Sequence, residues 1–195
     1  IAILAAGKGT RMNSDLPKVL HPLAGKSLIE RVLSSTKGLN PNRKLIIVGH
    51  KALEIENFLS NSPNLEFIRQ EPQNGTGHAI QQLLPKLKDF KGELLVLNGD
   101  VPLLTDTTPK KLLDFHRNSK ASVTFLSATV SNANGYGRVF TDKQGHVKKI
   151  IEDSECNETQ QKVRLINAGI YCYNWQKLRD VLNSLSNDNS QQEFY

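Results

Sequence analysis

Long apolar runs are missing from this 195-residue chain. No stretch approaches the roughly 18 consecutive apolar residues that a membrane-spanning helix needs, and no secretory leader pattern precedes the first strand. A cytoplasmic protein without a membrane partner is therefore expected. Cysteine is scarce. Cys156 and Cys172 are the only two, with no C-x-x-C and no nearby histidine, so they form no metal pattern, and a disulfide between them, though conceivable, is disfavoured in a chain that otherwise reads as cytosolic. Buried, unpaired thiols are expected. Aromatic residues make up only 6% and form no stacking stripe, and the cations behind the net charge of +6 are scattered rather than blocked. Both facts argue against a nucleic-acid partner. A modest positive excess suits a small anionic substrate drawn into a cleft, as it suits ordinary solvated lysine. Internal repeats and Gly/Ser/Pro linkers are absent, and the length suits one domain with a real core.

Several nucleotide and catalytic motifs are also missing. A dinucleotide fingerprint needs a third glycine where this chain has Met12, and an acid closing the second strand, which here ends in Gly49-His50. Gly25-Lys26-Ser27 supplies the tail of a P-loop, but Leu20 stands where its first glycine belongs. Asp100-Val101-Pro102 lacks the second aspartate of an Asp-x-Asp glycosyltransferase. The histidines His21, His50, His78, His116 and His146 are dispersed, and none sits near a Ser or Cys that could serve as a nucleophile.

What is present begins at the N-terminus. An apolar strand over 1–4 runs into Leu4-Ala5-Ala6-Gly7-Lys8-Gly9-Thr10-Arg11-Met12, then Leu16-Pro17-Lys18. Glycines permit positive φ and close backbone approach, and successive N–H groups in such a turn form an anion-binding concavity. Lys8, Arg11 and Lys18 add full charges. A polyphosphate loop is expected; a plain surface turn with solvated charges would not need so long a joint pattern.

Downstream the pattern alternates. Ser27 and Glu30 form a capping box ahead of a helix that Gly38 and Pro41 stop. Strands are expected over 45–48, 65–68, 94–97, 123–130 and 165–171, and a hairpin turn over 142–145. Helices are expected over 53–59, from the Gly75 loop through Leu87, from Thr108-Pro109, and over 175–185. Residues 153–162 read as a mobile polar loop, and 186–192 as a loop. The expected fold is α/β: a Rossmann-like, mixed, mostly parallel sheet flanked by helices, with a small β-hairpin subregion. Ligands in such sheets bind beyond the carboxyl ends of the strands. The loops after strands one, three and four converge there.

Candidate side chains follow from that placement. Asp100, at a strand tip, can ligate Mg²⁺ together with phosphate oxygens and water, or simply turn the chain before Pro102. Arg11 offers phosphate a planar fork and Lys18 a point charge. Lys8 and Lys26 are read as peripheral. The Gln70 amide, with Gly75 and Thr76, can pair with a pyrimidine edge or merely face solvent. Gly137, Glu152 and Asn167 can meet sugar hydroxyl and acetamido groups, or serve as turn and strand-end residues.

Leu4-x-x-Gly7-x-Gly9-Thr10-Arg11-Met12 with Pro17-Lys18 resembles the sugar-1-phosphate nucleotidyltransferase, or pyrophosphorylase, superfamily. Leu16-Pro17-Lys18-Val19-Leu20-His21 and Leu23-Ala24-Gly25-Lys26 resemble more narrowly the N-terminal uridyltransferase domain of the bacterial bifunctional N-acetylglucosamine-1-phosphate uridyltransferases. Gln70 with Gly75-Thr76-Gly77-His78-Ala79, Gly99-Asp100-Val101-Pro102, Gly135-Tyr136-Gly137-Arg138, Glu152 and Asn167 extend the likeness along the whole chain. The resemblance implies a nucleotide-diphospho-sugar transferase fold over 1–195 and Mg²⁺-dependent formation of UDP-N-acetylglucosamine and pyrophosphate from UTP and N-acetylglucosamine 1-phosphate. It implies Arg11 and Lys18 as catalytic, and Leu4, Ala5, Ala6, Gly7, Lys18, Gln70, Gly75 and Thr76 as nucleotide-binding. It further implies Gly137, Glu152 and Asn167 at the sugar and Asp100 at the metal. Asn98 departs from members with Tyr there. The family's second metal side chain, and the left-handed β-helix that transfers acetyl groups and builds a trimer, are expected beyond Tyr195. A chain opening on Ile1 inside a strand is expected to be truncated at both ends, and to be a monomer or weak oligomer. Another nucleotide or hexose 1-phosphate, or a nucleotide-sugar-binding module with little turnover, remains open.

Overall fold

The first apolar run becomes a central strand. In the computed structural model, which describes residues 1–188 and 192–194, β1 (Ala2–Ala5) lies between β4 (Lys44–Val48) and β6 (Glu93–Asn98), and β5 (Leu65–Arg69) flanks β4. All three pairings are parallel. Leu45, Ile46, Ile47 and Val48 are buried on both faces, as are Leu94 to Leu97; strands covered on both sides read as continuous apolar runs. The register pairs Leu4 with Asn98, Ala5 with Val48 and Val48 with Arg69. The carboxyl ends of these four strands thus finish level, and their following loops leave one edge.

Helices α1 (Leu28–Ser35), α2 (Ala52–Phe58), α3 (Gly75–Gln81), α4 (Thr107–Ser119) and α6 (Trp175–Leu182) belong to the same unit, Ile1–Thr124 with Cys172–Tyr195. The α1 capping box forms as expected: Glu30 N–H donates to Ser27 Oγ at 3.3 Å, and Ser27 N–H to Glu30 Oε2 at 2.7 Å. The two-residue strands β2 (Pro22–Leu23) and β3 (Lys26–Ser27) form a hairpin with Ala24 (φ 47°) and Gly25 (φ 78°) at its turn. Two central residues with positive φ are what tight hairpins need. Gly25-Lys26-Ser27 is therefore a hairpin turn feeding a helix cap. Trp175 is fully buried, and its Nε1 donates to the Leu87 carbonyl at 2.8 Å.

A second compact unit, Phe125–Tyr171, separates out where the sequence suggests one domain with a hairpin subregion. Here β8 (Arg138–Thr141) pairs antiparallel with β9 (Val147–Ile151) and with β10 (Leu165–Asn174), and β7 (Val123–Thr129) also pairs with β10. The expected turn closes the β8–β9 hairpin, with Asp142 Oδ1 accepting from Gln144 and His146 N–H.

Three local expectations change. Helix α3 stops at Gln81 rather than running through Leu87; beyond it lies Pro85, which has no N–H and restricts the residue before it. The polar stretch 153–162 is ordered into a 3₁₀ turn, Asp153–Glu155, and helix α5 (Glu158–Gln161). Asn157 and Gln160 form a reciprocal cap there. The final helix ends at Leu182. Of the expected 186–192 loop, residues 189–191 lie outside the described residues; 186–188 and 192 form no regular element. Both cysteines are free and buried. Burial pushes the Cys156 thiol up and the Cys172 thiol to about 12, so neither is a thiolate at neutral pH. No described helix is long and apolar enough to cross a membrane.

Candidate functional site

At the level edge of the first unit's sheet lies an open cavity of about 570 Å³. Leu4, Ala5, Ala6 and Gly7 form one wall at the end of β1. Gly9 (φ 61°) turns the chain, and a Cβ placed there would stand 2.7 Å from Lys18 Cβ. Only glycine lets the Lys18 stem pass so close. Past Pro17, Lys18–Leu20 makes a 3₁₀ turn that buries Val19 and Leu20. This anchor leaves Lys18 half-exposed in the cavity, its Nζ paired with Asp100 Oδ2.

Asp100 is placed by its glycine. Gly99 N–H donates to the Leu4 carbonyl at 2.8 Å, and a Cβ on Gly99 would meet that oxygen at 2.9 Å. The close approach sets Asp100 directly after β6, across from the β1 loop. Among the described residues no cluster of three or more His, Cys, Asp or Glu could hold a metal. One carboxylate does fit Mg²⁺, which takes one or two carboxylates and completes its shell from phosphate and water.

Gln70, Gly75 and Thr76 line the same cavity. Gln70 follows β5, with its N–H donating to the Val48 carbonyl at 2.8 Å, and is 3% exposed. Its Nε2 donates to the Gly75 carbonyl at 2.9 Å. The sequence's alternative, a solvated glutamine, does not hold. Gly75 (φ 94°) and Gly77 leave room for the segment around Phe194: added Cβ atoms would come within 2.6 and 2.8 Å of its carbonyl oxygen. Gly77 N–H donates to that oxygen at 2.6 Å, and Phe194 N–H to the Asn74 carbonyl at 2.9 Å.

The structure thus brings together every nucleotide-side residue that the sequence nominates, with one exception. Arg11 lies on an exposed 3₁₀ turn, Thr10–Met12; its neighbour Thr10 lines the cavity and Arg11 does not. Conversely Lys8, read as peripheral, does line it, while Lys26 is exposed on β3. Gln73, Asn98 and Glu193 also line the cavity without having been nominated. Glu193 is far along the chain, so only the fold reveals it.

The three sugar candidates all lie in the second unit and meet there. A Cβ on Gly137 would stand 2.9 Å from Glu152 Oε1, and Asn167 N–H donates to the Gly137 carbonyl at 2.9 Å. Asn167 Nδ2 donates to Tyr171 Oη at 2.6 Å, and its Oδ1 accepts from Gly169 N–H at 3.0 Å. Burial, then the charges of Glu155 and Asp153, push the Glu152 carboxyl above the usual range. The preceding turn is fixed by Arg138, which is 1% exposed and donates to Asp153 Oδ1 at 2.7 Å and to the Tyr136 carbonyl. Asp153 Oδ2 takes Gly135 N–H at 2.8 Å. These bracing residues were missed: nothing in Gly135-Tyr136-Gly137-Arg138 shows that its arginine points inward.

The nucleotidyl transferase family model matches residues 2–195. A curated relative from Prochlorococcus marinus (strain NATL2A), "Bifunctional protein GlmU", is 68% identical over all 195 residues, which make up 44% of its own length. One of the same name from Synechococcus sp. (strain RCC307) is 58% identical over the whole chain and 43% of the relative. The chain therefore spans less than half of these relatives. A solved UDP-glucose pyrophosphorylase complexed with UDP-glucose superposes with a TM-score of 0.76 at 18% identity, over 97% of this chain and 81% of that one. HddC from Yersinia pseudotuberculosis gives 0.73 at 25% identity, over 92% and 78%. The fold is that of nucleotide-sugar pyrophosphorylases.

Proposed function

From the premise that the chain belongs to the nucleotidyl transferase family, we propose that it transfers a uridylyl group from UTP to N-acetylglucosamine 1-phosphate, giving UDP-N-acetylglucosamine and pyrophosphate. One observation carries this reading: the β1 loop, Lys18, Gln70, Gly75, Thr76 and Asp100, distant in sequence, line a single cavity. The two relatives named GlmU support the choice of nucleotide and sugar.

In the proposed reaction a phosphate oxygen of the sugar phosphate attacks the α-phosphorus of UTP. The α–β bridging P–O bond breaks, and its electron pair leaves with pyrophosphate. Such chemistry depends on positioning and charge stabilisation rather than a protein nucleophile. Lys18 holds phosphate oxygens, and the loop N–H groups after β1 meet the triphosphate with Lys8. Arg11 contributes charge from the adjoining turn. Asp100 would hold Mg²⁺, which when bound neutralises phosphate charge. Gln70, Gly75 and Thr76 read the base. Gly137, Glu152 and Asn167 take the hexosamine.

Pyrophosphate release from UTP and N-acetylglucosamine 1-phosphate, compared with TTP, CTP, GTP and glucose 1-phosphate, tests the proposal. Faster release with another pair overturns the assigned substrates. Nucleotide-sugar binding without any Mg²⁺-dependent release overturns the catalytic reading.

A further inference from the structure

The Gln70 amide has one end committed. Its Nε2 stands 2.9 Å from the Gly75 carbonyl oxygen and 3.3 Å from His78 Nδ1. His78 Nε2 in turn lies 2.9 Å from the side-chain amide of Gln82, which also stands 3.2 Å from the His78 carbonyl oxygen. A neutral imidazole accepts at one nitrogen and donates at the other, so it cannot take an NH₂ group on both sides. Amide orientation and tautomer must be settled together by the network.

Two arrangements satisfy the ring. With Nδ1 bare, Gln70 keeps its NH₂ inward and Gln82 turns its oxygen to Nε2–H. With Nδ1 protonated, Gln70 turns its oxygen inward, against the Gly75 carbonyl oxygen. That second arrangement sets two oxygens 2.9 Å apart around a side chain that is 3% exposed. The first sets the Gln82 oxygen 3.2 Å from a carbonyl, on a half-buried side chain. Repulsion between unprotonated oxygens is worse when closer and drier, so the bare Nδ1 prevails.

Gln70 lines the cavity. Its Oε1 accepts no hydrogen bond from the described residues and is not sealed off, since the buried side-chain atom without a partner among them is Arg138 Nε. We infer that His78 is a positioning residue for base selection: together with the Gly75 carbonyl, and with Gln82 completing the relay, it holds the Gln70 amide oxygen toward the cavity, where that oxygen accepts the ring N–H of uracil. Cytosine presents a lone pair at that ring nitrogen and is rejected. The inference rests on the pocket being a uridine-nucleotide site.

Two measurements test it on the purified protein. Imidazole ¹⁵N NMR should show His78 with Nδ1 bare and Nε2 protonated. Calorimetry with UTP and CTP should show His78→Leu losing roughly tenfold in the UTP:CTP preference, the size of one hydrogen bond. Gln82→Glu, which keeps an acceptor for Nε2–H, should retain the preference. A protonated Nδ1, or an unchanged ratio in His78→Leu, overturns the inference; the tautomer is read on the unmodified protein and does not depend on the variant folding. An unmodified protein that shows no UTP preference overturns the reading of the pocket instead.

Discussion

Lys18, Asp100 and Arg11 separate what side-chain chemistry reveals from what only coordinates reveal. Asp100 was legible because it follows a glycine directly after β6, and Lys18 because it completes the glycine-rich, Pro-Lys pattern that follows β1. Arg11 follows the same glycines, yet its 3₁₀ turn is exposed and leaves it outside the lining. This makes Arg11→Ala a sharp test. Its stability should change by no more than about 0.5 kcal/mol, as for exposed substitutions. If it stabilises the reacting phosphates, kcat should fall about 10²–10³-fold, by analogy with the loss of one oxyanion donor. Asp100→Asn should abolish most Mg²⁺-dependent turnover while leaving the melting temperature near its original value; a Mg²⁺ titration of activity measures the loss. Glu152 gives a pH test. Its folded pKa is raised, so ionising it costs stability as pH climbs above the ordinary glutamate value, and the cost vanishes below it. Glu152→Gln should melt higher than the parent at pH 7, and the gap should close towards pH 4.

Elements were legible where a single stretch of sequence decides them. The Ser27–Glu30 cap was read correctly because both partners lie within one turn. Ser27→Ala should cost about 1 kcal/mol in a denaturant melt. Since Ser27 also holds the Glu30 carboxyl below its usual range, that contribution is present above the ordinary glutamate value and fades as pH falls through the depressed one. The matching Asn157–Gln160 cap was overlooked, because the polar residues around it resemble a solvated loop and α5 is only four residues long. Helix α3 is shorter than its apolar spacing predicts, since that spacing continues past the point where Pro85 breaks the backbone. Its glycines answer to a partner over a hundred residues away. Gly77→Ala would press a methyl onto the Phe194 carbonyl, and overpacking of this kind costs about 1–3 kcal/mol. Hydrogen exchange should show the Phe194 amide losing protection in that variant, more than amides in β4.

For the molecule as a whole, strand–helix alternation gave the α/β class and the edge at which ligands gather, because wholly apolar strands such as β4 have few other uses. Gly137, Glu152 and Asn167, which family likeness places at the sugar, lie close together in the second unit. Their separation into a distinct unit was hidden, since β10 runs without a break from Leu165 to Asn174 and no linker composition marks the boundary.

The chain's one tryptophan, Trp175, is shut away inside the first unit with its indole N–H on Leu87. Its fluorescence should therefore begin blue-shifted and redden only when that unit opens. Excited at the red edge, where tyrosine is silent, the protein carries a built-in optical gauge for one half of its architecture. If that curve parts from the far-ultraviolet dichroism curve on heating, the two units come undone in sequence rather than together.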